Sequence, residues 1–234
     1  MAIYQTLKSA WRRCPQPARE FVFRNAALRN LRVALRETLS RFAPHDEVYD
    51  GEYYAWLEAT AGAGAAAMAR GLCAAFQPRS VIDVGCGTGA LLAAFRELGV
   101  EARGFEHSEA ALERCRARGI AAQRLDLEAG ALPEMPHADL AVSFEVAEHL
   151  PPRCADRYIG WLAGIAPRLA FSAATPGQGG DNHVNEQPHE YWIGRIEGAG
   201  LRWLAEETHA LRAQWVQEGV AAEYARNLLL FHRA

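Results

Sequence analysis

The sequence predicts an α/β fold in which a mostly parallel sheet is wrapped by helices on both faces. Short β-branched and apolar runs alternate with amphipathic helical patterns from residue 80 onward. The segments that join them are short, as is typical of strand–helix–strand crossovers between parallel strands. The chain has 234 residues, of which 50% are hydrophobic, so it can bury the core of one such domain with an appendage.

Residues 1–60 are predicted to form a helical N-terminal extension or cap, and residues 61–234 the main domain. Leu28, Leu31, Leu35 and Leu39 recur at three- and four-residue spacing, which indicates one apolar helix face. Pro44 ends this segment. An alanine-rich helix over 61–76 then leads into the sheet, and Pro78 stops it.

The elements of the main domain follow in order. Gly99 and Gly119 end the first two crossover helices, and Pro152 begins the third. Helices are therefore predicted over 89–98, 109–118, 152–163 and 189–198. Strands are predicted over 80–84, 102–106, 121–124, 139–144, 168–173, 201–206 and 226–232.

Composition excludes several classes of protein. No apolar run approaches the roughly 20 residues of a membrane span. The first residues have neither the apolar core nor the cleavage site of a signal peptide. The five cysteines are odd in number and include no CxxC pair, which argues against a disulfide framework and a thiolate zinc site. We therefore expect a cytoplasmic protein.

The charge is unevenly distributed along the chain. The first 43 residues carry nine basic and two acidic side chains, a net charge of +7, and the remainder carries −10. Such a segment is compatible with weak contact to an anionic membrane surface or another anionic partner. It is equally compatible with a basic helical layer packed on an acidic domain, because its arginines alternate with apolar residues as in an ordinary amphipathic helix.

The most informative stretch is Val81-Ile-Asp-Val-Gly-Cys-Gly-Thr-Gly89, a buried strand that ends in alternating glycines. A strand, a glycine turn and a helix in this order present backbone N–H groups to a nucleotide-like ligand. Asp83 would repel a pyrophosphate at this place but would suit a ligand with a cationic amino group. The stretch resembles the first motif of class I S-adenosylmethionine-dependent methyltransferases.

Three later segments match that family in the same order. Glu106 ends the second strand, Asp126 follows the third, and residues 139–151 resemble the fourth motif. The resemblance implies a Rossmann-like, doubly wound sheet of seven strands, with an antiparallel last strand, that binds S-adenosylmethionine and releases S-adenosylhomocysteine. It implies a ribose contact for Glu106 and an adenine contact for Asp126 and Leu127. The cofactor-binding residues expected from it are Asp83, Gly85, Cys86, Gly87, Gly89, Glu106, His107, Asp126, Leu127, Phe144 and Glu145.

Two other functions remain open on the sequence. A nicotinamide-dependent oxidoreductase would also place Glu106 on a ribose, but the chain has no Tyr-x-x-x-Lys pair, since its one lysine is Lys8. A catalytically silent binding module could keep the fold, although the complete glycine and acid set argues against it. In similar enzymes an aromatic residue before the domain closes over the cofactor, a role open to Tyr53 or Tyr54 as well as ordinary packing.

Two clusters could act on a methyl acceptor. A hydroxyl acceptor needs a base or a metal ion to release its proton. The loop over 175–192 has three glycines, which would make it mobile, and dense polar residues. From it we expect His183 to be the general base, with His149 as the second candidate, because imidazole can take a proton near neutral pH.

A metal site is the competing interpretation. Glu145, Glu148 and His149 form an ExxEH pattern that resembles the metal-binding set of small-RNA 3′-terminal 2′-O-methyltransferases, with His189 as a further ligand. The same pattern occurs in family members with no established metal, so no metal ligand is assigned. We expect O-methylation of a small molecule or a sugar, with an RNA 2′-O-methyltransferase-like enzyme as the alternative. Nucleic acid is not the expected partner, because the catalytic part is acidic.

Overall fold

The computed structural model describes residues 64–129, 131–134 and 137–233, together with Tyr54 and a few isolated positions nearer the N-terminus. In this part of the chain seven strands form one sheet. The strands are β1 (Ser80–Val84), β2 (Glu101–Glu106), β3 (Ala122–Arg124), β4 (Leu140–Phe144), β5 (Arg168–Ser172), β6 (Leu201–Trp203) and β7 (Leu229–Arg233).

Seven α-helices connect and cover these strands within the described residues. They are α1 (Ala65–Phe76), α2 (Ala90–Glu97), α3 (Glu109–Ala117), α4 (Ala155–Ile165), α5 (His189–Gly198), α6 (Ala205–Gln217) and α7 (Ala222–Asn227). Two single-turn 3₁₀ helices, Ala147–His149 and Pro152–Cys154, lie between β4 and α4.

The strand order is β3-β2-β1-β4-β5-β7-β6. All strands run parallel except β7, which is antiparallel to both β5 and β6. The order reverses between β1 and β4, and ligands of such sheets bind at this switch point, beyond the carboxyl ends of the strands. The predicted doubly wound sheet with an antiparallel last strand is therefore confirmed.

The core lies on both faces of the sheet. One apolar cluster packs α1, α2 and α6 against the strands and contains the fully buried Leu72, Phe95 and Trp215. The other packs α4 and α5 against the opposite face, with Tyr158 and Trp192 fully buried. The central strands β4 and β5 are buried along nearly their whole length, which explains why they are continuous apolar runs.

Most predicted elements agree with the structure to within a few residues, but the C-terminal quarter does not. The strand predicted over 201–206 ends at Trp203, and Ala205 begins helix α6. The strand predicted over 226–232 begins at Leu229, because residues 222–227 form α7. Glu206 and Glu207 stand in the first turn of α6, where acidic side chains favour a helix.

The predicted N-terminal extension falls largely outside the described residues. Leu28, Leu31 and Leu35 are described singly, and each is exposed. Tyr54 is buried, at 4% relative exposure, whereas Tyr53 is not among the described residues. Over the part of the chain that the structure describes, no helix is long and apolar enough to cross a membrane.

Candidate active site

The turn between β1 and α2 carries its glycines in conformations that other residues rarely adopt. The φ angles of Gly85 and Gly89 are +81° and +75°. At Gly85 a Cβ atom would also lie 2.3 Å from Cγ2 of Val146. The Gly85 N–H donates to the carbonyl of Phe105 at 2.7 Å, so the turn rests on β2. These contacts hold the turn open at the carboxyl end of β1.

Two buried carboxylates flank this turn. Asp83 is 4% exposed and Glu106 is 8% exposed. Burial, reinforced by the charge of Glu106, raises the pKa of Asp83 to about 7. Burial also raises the pKa of Glu106, although hydrogen bonds from backbone N–H groups oppose the shift. A cationic group bound here would relieve both carboxylates, because it favours their charged forms.

The Glu106 carboxylate ties the glycine turn to the segment after β2. Its Oε2 accepts from the N–H of Gly87 at 2.9 Å, and its Oε1 accepts from His107 and Ser108 at 2.7 and 2.8 Å. A carboxylate offers about four acceptor positions, so one remains on Oε2. Glu106 can therefore receive one ligand hydroxyl without losing its backbone contacts.

The other residues predicted to bind the cofactor lie around the same edge. Cys86 is buried in the turn, where a hydrogen bond with Cys115 and burial raise the pKa of its thiol. His107 is half-buried, as is Leu127. Asp126 is exposed, and its Oδ1 accepts from the N–H of Glu128 at 2.9 Å. That bond stabilises the loop after β3 and leaves the carboxylate at the surface.

Phe144 and Glu145 end β4 in different surroundings. Phe144 packs edge-on against Trp215 and Tyr224, with ring centroids 5.9 and 6.3 Å away. Glu145 has a φ of +53°, a conformation that costs a non-glycine residue about 1–2 kcal/mol. Strained residues of this kind are common at functional sites.

The side chain of Glu145 is held by two amides. Its Oε2 accepts from Nε2 of Gln178 at 2.8 Å, and its Oε1 accepts from Nδ2 of Asn227 at 3.2 Å. Asn227 also donates to Oε1 of Gln178 at 2.8 Å. These three residues therefore join the end of β4, the loop after β5 and the end of α7.

Glu148, His149 and His183 meet beyond β4. The His149 and His183 ring centroids are 4.9 Å apart, in an edge-to-face arrangement. Glu148 is fully buried. Burial and the neighbouring Glu145 raise the pKa of Glu148 well above its usual range. The structure thus brings the two predicted catalytic histidines together beside a carboxyl group that favours the neutral form.

The loop over 175–188 is more constrained than its three glycines suggested. The backbone N–H groups of Val184 and Asn185 donate to the carbonyl of Glu148 at 2.9 and 3.0 Å. The carboxylate of Glu186 accepts from the N–H groups of Gly177 and Gly179, at 2.8 Å each. The loop is therefore pinned to the turn after β4 and to itself, and it holds His183 over the site.

The described residues contain one group of side chains that could hold a metal ion. Ligand atoms of Glu148, His149 and His183 lie within 4.8 Å of one another. His189, the ligand that the sequence suggested, is not part of this group. Its Nδ1 lies 3.5 Å from Arg212, and burial together with that cation lowers its pKa. A metal ion held here would therefore be bound by His183 and not by His189.

Sequence reasoning missed Gln178, Asn227 and the individual role of Glu186. Gln178 and Glu186 belong to a loop that looked functional only as a whole. Asn227 precedes the apolar run over 228–231 and carried no local signal of a role in the site. Its contact with Glu145 spans 82 residues, so only the folded chain reveals it.

Comparisons with known proteins agree with this geometry. A family model described as a methyltransferase domain matches residues 28–170. No curated protein matches the chain significantly. DesVI of Streptomyces venezuelae has a similar fold, with a TM-score of 0.57 and 16% identity, over 82% of this chain and 99% of that one.

Two further solved structures share the fold. The sugar N-methyltransferase KedS8 of a Streptoalloteichus species has a TM-score of 0.59 and 16% identity, over 78% of this chain and 92% of that one. The magnesium protoporphyrin IX methyltransferase ChlM of Synechocystis, with bound S-adenosylhomocysteine, has a TM-score of 0.52 and 16% identity, over 90% and 88%.

The family match covers more than half of the chain, and it decides against the nicotinamide-dependent alternative. The sheet order and the glycine turn at its switch point agree with it. The chain therefore belongs to the methyltransferase domain family, as a class I S-adenosylmethionine-dependent methyltransferase.

Proposed function

We propose that the protein methylates a hydroxyl group of a small molecule or a sugar, with His183 as the general base. The observation that carries this proposal is the pair of histidines beyond β4, of which His183 has a side chain only 11% exposed. An imidazole in this position can take the hydroxyl proton as the oxygen attacks. When bound, S-adenosylmethionine supplies a methyl group on a sulfonium, so the protein mainly has to align the two partners.

The proposed cofactor contacts follow the two buried acids. Asp83 and the glycine turn would hold the methionine end, and Glu106 the ribose through its remaining acceptor position. Asp126 and Leu127 would contact the adenine from the loop after β3. The burial of Asp83 supports this arrangement, since a buried carboxylate beside a second one favours a cationic partner.

An amine acceptor is the second candidate. Glu145 and Glu148 place two carboxyl groups beyond β4, and burial raises the pKa of both. An ammonium group bound beside them would favour their charged forms, so the pair suits the ammonium form of an amino sugar. KedS8, whose fold is similar, is a sugar N-methyltransferase. The position of the new methyl group in the product separates this candidate from O-methylation.

The test is a screen of sugars, amino sugars and small hydroxylated molecules for formation of S-adenosylhomocysteine. With the acceptor that the screen identifies, we expect His183→Ala to lower kcat about 100-fold or more, the usual contribution of a general base. Affinity for S-adenosylhomocysteine should stay nearly unchanged, and His209→Ala, at an exposed histidine of α6, serves as the matched control. Full activity of His183→Ala would refute the assignment of the base.

Chelation separates the base from the metal-dependent alternative. If His183 removes the proton, turnover should survive dialysis against EDTA, because no divalent cation takes part. Loss of turnover that Mg²⁺ or Mn²⁺ restores would instead indicate that Glu148, His149 and His183 hold a metal ion.

A further inference from the structure

We propose that Glu186 is a positioning residue that fixes the imidazole of His183 in the tautomer with its proton on Nδ1, which leaves Nε2 as the proton acceptor. This inference rests on the proposed function of His183 as the base. It adds a residue to the site, because Glu186 acts through His183 and has no assigned contact with either substrate.

The contact between the two side chains determines the tautomer. Oε1 of Glu186 lies 2.9 Å from Nδ1 of His183, and the two side chains are 20% and 11% exposed. An ionised carboxylate can only accept a hydrogen bond. The Nδ1 atom must therefore carry the proton in the neutral imidazole, and the lone pair is on Nε2.

Glu186 is itself anchored. Two backbone N–H groups of the loop, those of Gly177 and Gly179, donate to Oε2 and Oε1 at 2.8 Å each. Burial alone would raise the pKa of Glu186, but the hydrogen bonds from His183 and these two N–H groups outweigh it and lower the pKa. The carboxylate is thus held in its charged form and in one orientation. A side chain that only filled space would need neither.

The opposite edge of the imidazole lies against Gly180. A Cβ atom at Gly180 would lie 2.3 Å from Nε2 of His183, so the ring occupies space that only a glycine at this position leaves free. Among the described residues Nε2 makes no hydrogen bond, and it is not one of the buried polar atoms without a partner. No hydrogen bond from the described part of the chain therefore occupies the lone pair of Nε2, while Nδ1 is bonded to Glu186.

The imidazole is also placed relative to the sheet. The N–H of Val184 is bonded to the carbonyl of Glu148, and the His149 ring packs edge-on against the His183 ring. These contacts keep His183 at the carboxyl end of β4, next to the switch point. Glu186 controls the rotation and the protonation of a ring whose location is set by its neighbours.

The first experiment reads the tautomer directly and needs no acceptor. ¹⁵N NMR of the histidine side chains, with the protein saturated with S-adenosylhomocysteine and His183 assigned from His183→Asn, should show the Nδ1–H tautomer in the wild type. In Glu186→Ala the acceptor is gone, so the two tautomers should exchange and the Nε2–H form should appear. An Nε2–H tautomer in the wild type, or no change in Glu186→Ala, would overturn the inference.

The second experiment is a double-mutant cycle on turnover, with the acceptor that the screen identifies. Glu186→Ala should lower kcat about 100-fold with little change in affinity for S-adenosylhomocysteine, while it should have no further effect in a His183→Ala background. Gly180→Ala, which displaces the ring without touching the carboxylate, should lower kcat in the same way. Equal losses from Glu186→Ala in both backgrounds would show that Glu186 merely supports the loop.

The two experiments test the proposed function and the role of Glu186 independently. If no acceptor is methylated, the proposed function is wrong, but the tautomer measurement still reports whether Glu186 orients His183. If the tautomer is as expected and His183→Ala is inactive while Glu186→Ala is fully active, the base is confirmed and the positioning role of Glu186 is refuted.

Discussion

At the scale of single residues, the site is organised by carboxylates that the fold has removed from water. Asp83, Glu106 and Glu148 are each less than 9% exposed, and burial raises the pKa of each. Glu106 also accepts hydrogen bonds from backbone N–H groups, as does the less buried Glu186. Some carboxylates of the site are therefore bonded to the loops around them, whereas Asp83 is proposed to bind a cationic group.

The pKa of Asp83 makes cofactor binding depend on pH. On the proposed placement, the amino group of the ligand binds the charged form of Asp83, whereas the free protein holds a proton there below about pH 7. Binding then releases a proton, so affinity rises as the pH rises. For a pKa near 7 we expect S-adenosylhomocysteine to bind about tenfold more tightly at pH 7.5 than at pH 6, as measured by calorimetry.

Asp83→Asn is the control for this measurement, because its amide cannot ionise. It should bind the ligand weakly and with nearly the same affinity at both pH values. If the wild type is also insensitive to pH, Asp83 does not carry the ligand's charge.

Several residue-level predictions could be made from local sequence, and others could not. The positions of Asp83, Glu106 and His183 at the sheet edge followed from motif and element order. The number of acceptor positions left on Glu106 did not, because it depends on the N–H groups of Gly87, His107 and Ser108. Only the folded chain determines which acceptor positions are occupied by hydrogen bonds.

At the scale of elements, β2 and the glycine turn pack closely together at the edge of the sheet where the cofactor is proposed to bind. A Cβ atom at Gly104, in the middle of β2, would lie 2.5 Å from Sγ of Cys86 and 2.6 Å from Cδ1 of Leu92. The turn and α2 can therefore lie directly on β2 only because this position has no side chain.

Gly104→Ala should destabilise the protein by about 1–3 kcal/mol, the usual cost of overpacking a core. Because the added methyl group displaces Cys86 in the turn, it should also weaken binding of S-adenosylhomocysteine. Gly160→Ala is the matched control: nothing lies within 4 Å of its Cβ position in α4, and alanine there should stabilise by roughly 0.5–1 kcal/mol. Thermal unfolding measures both, and equal Tm values for the two variants would contradict the packing argument.

The helices and strands themselves were predictable where the pattern of apolar residues was long and was bounded by glycine or proline. The elements from β1 to α5 have clear starts and stops in glycine, proline and apolar spacing. Helix α7 was not predicted, and its last two residues were assigned to the strand predicted over 226–232, because the helix is short and precedes an apolar run. Its end carries Asn227, whose contacts with Glu145 and Gln178 come from distant parts of the chain.

At the scale of the whole molecule, two apolar clusters enclose one sheet, and the site lies where the strand order reverses. A ligand at such a place contacts loops from several elements at once. Its binding therefore stabilises the folded domain as a unit.

Saturation with S-adenosylhomocysteine at 100 times its Kd should add about 2.7 kcal/mol of stability. For a chain of this size that corresponds to a rise in Tm of roughly 5–10 °C. Differential scanning calorimetry measures the shift, and the same concentration of NAD serves as the control ligand. A larger shift with NAD than with S-adenosylhomocysteine would be incompatible with the cofactor described above.

The uneven charge of the chain is also a whole-molecule property. The proposal that the basic first 43 residues contact an anionic surface or pack on the acidic domain remains a prediction, since most of them lie outside the described residues.

The sequence by itself determined the fold class and the strand ends from which the site is built, because these depend on residue types at short, fixed spacings, and the resemblance of its motifs to a known family indicated the cofactor. Only the tertiary structure decided that His183 rather than His189 joins Glu148 and His149, and that Glu186 engages Nδ1 of His183. The glycine turn after β1 is recognisable from the nine consecutive residues Val81 to Gly89 alone. The geometry around the base is assembled from β4, the loop after β5 and α7, and its hydrogen bonds exist only once these segments have packed together.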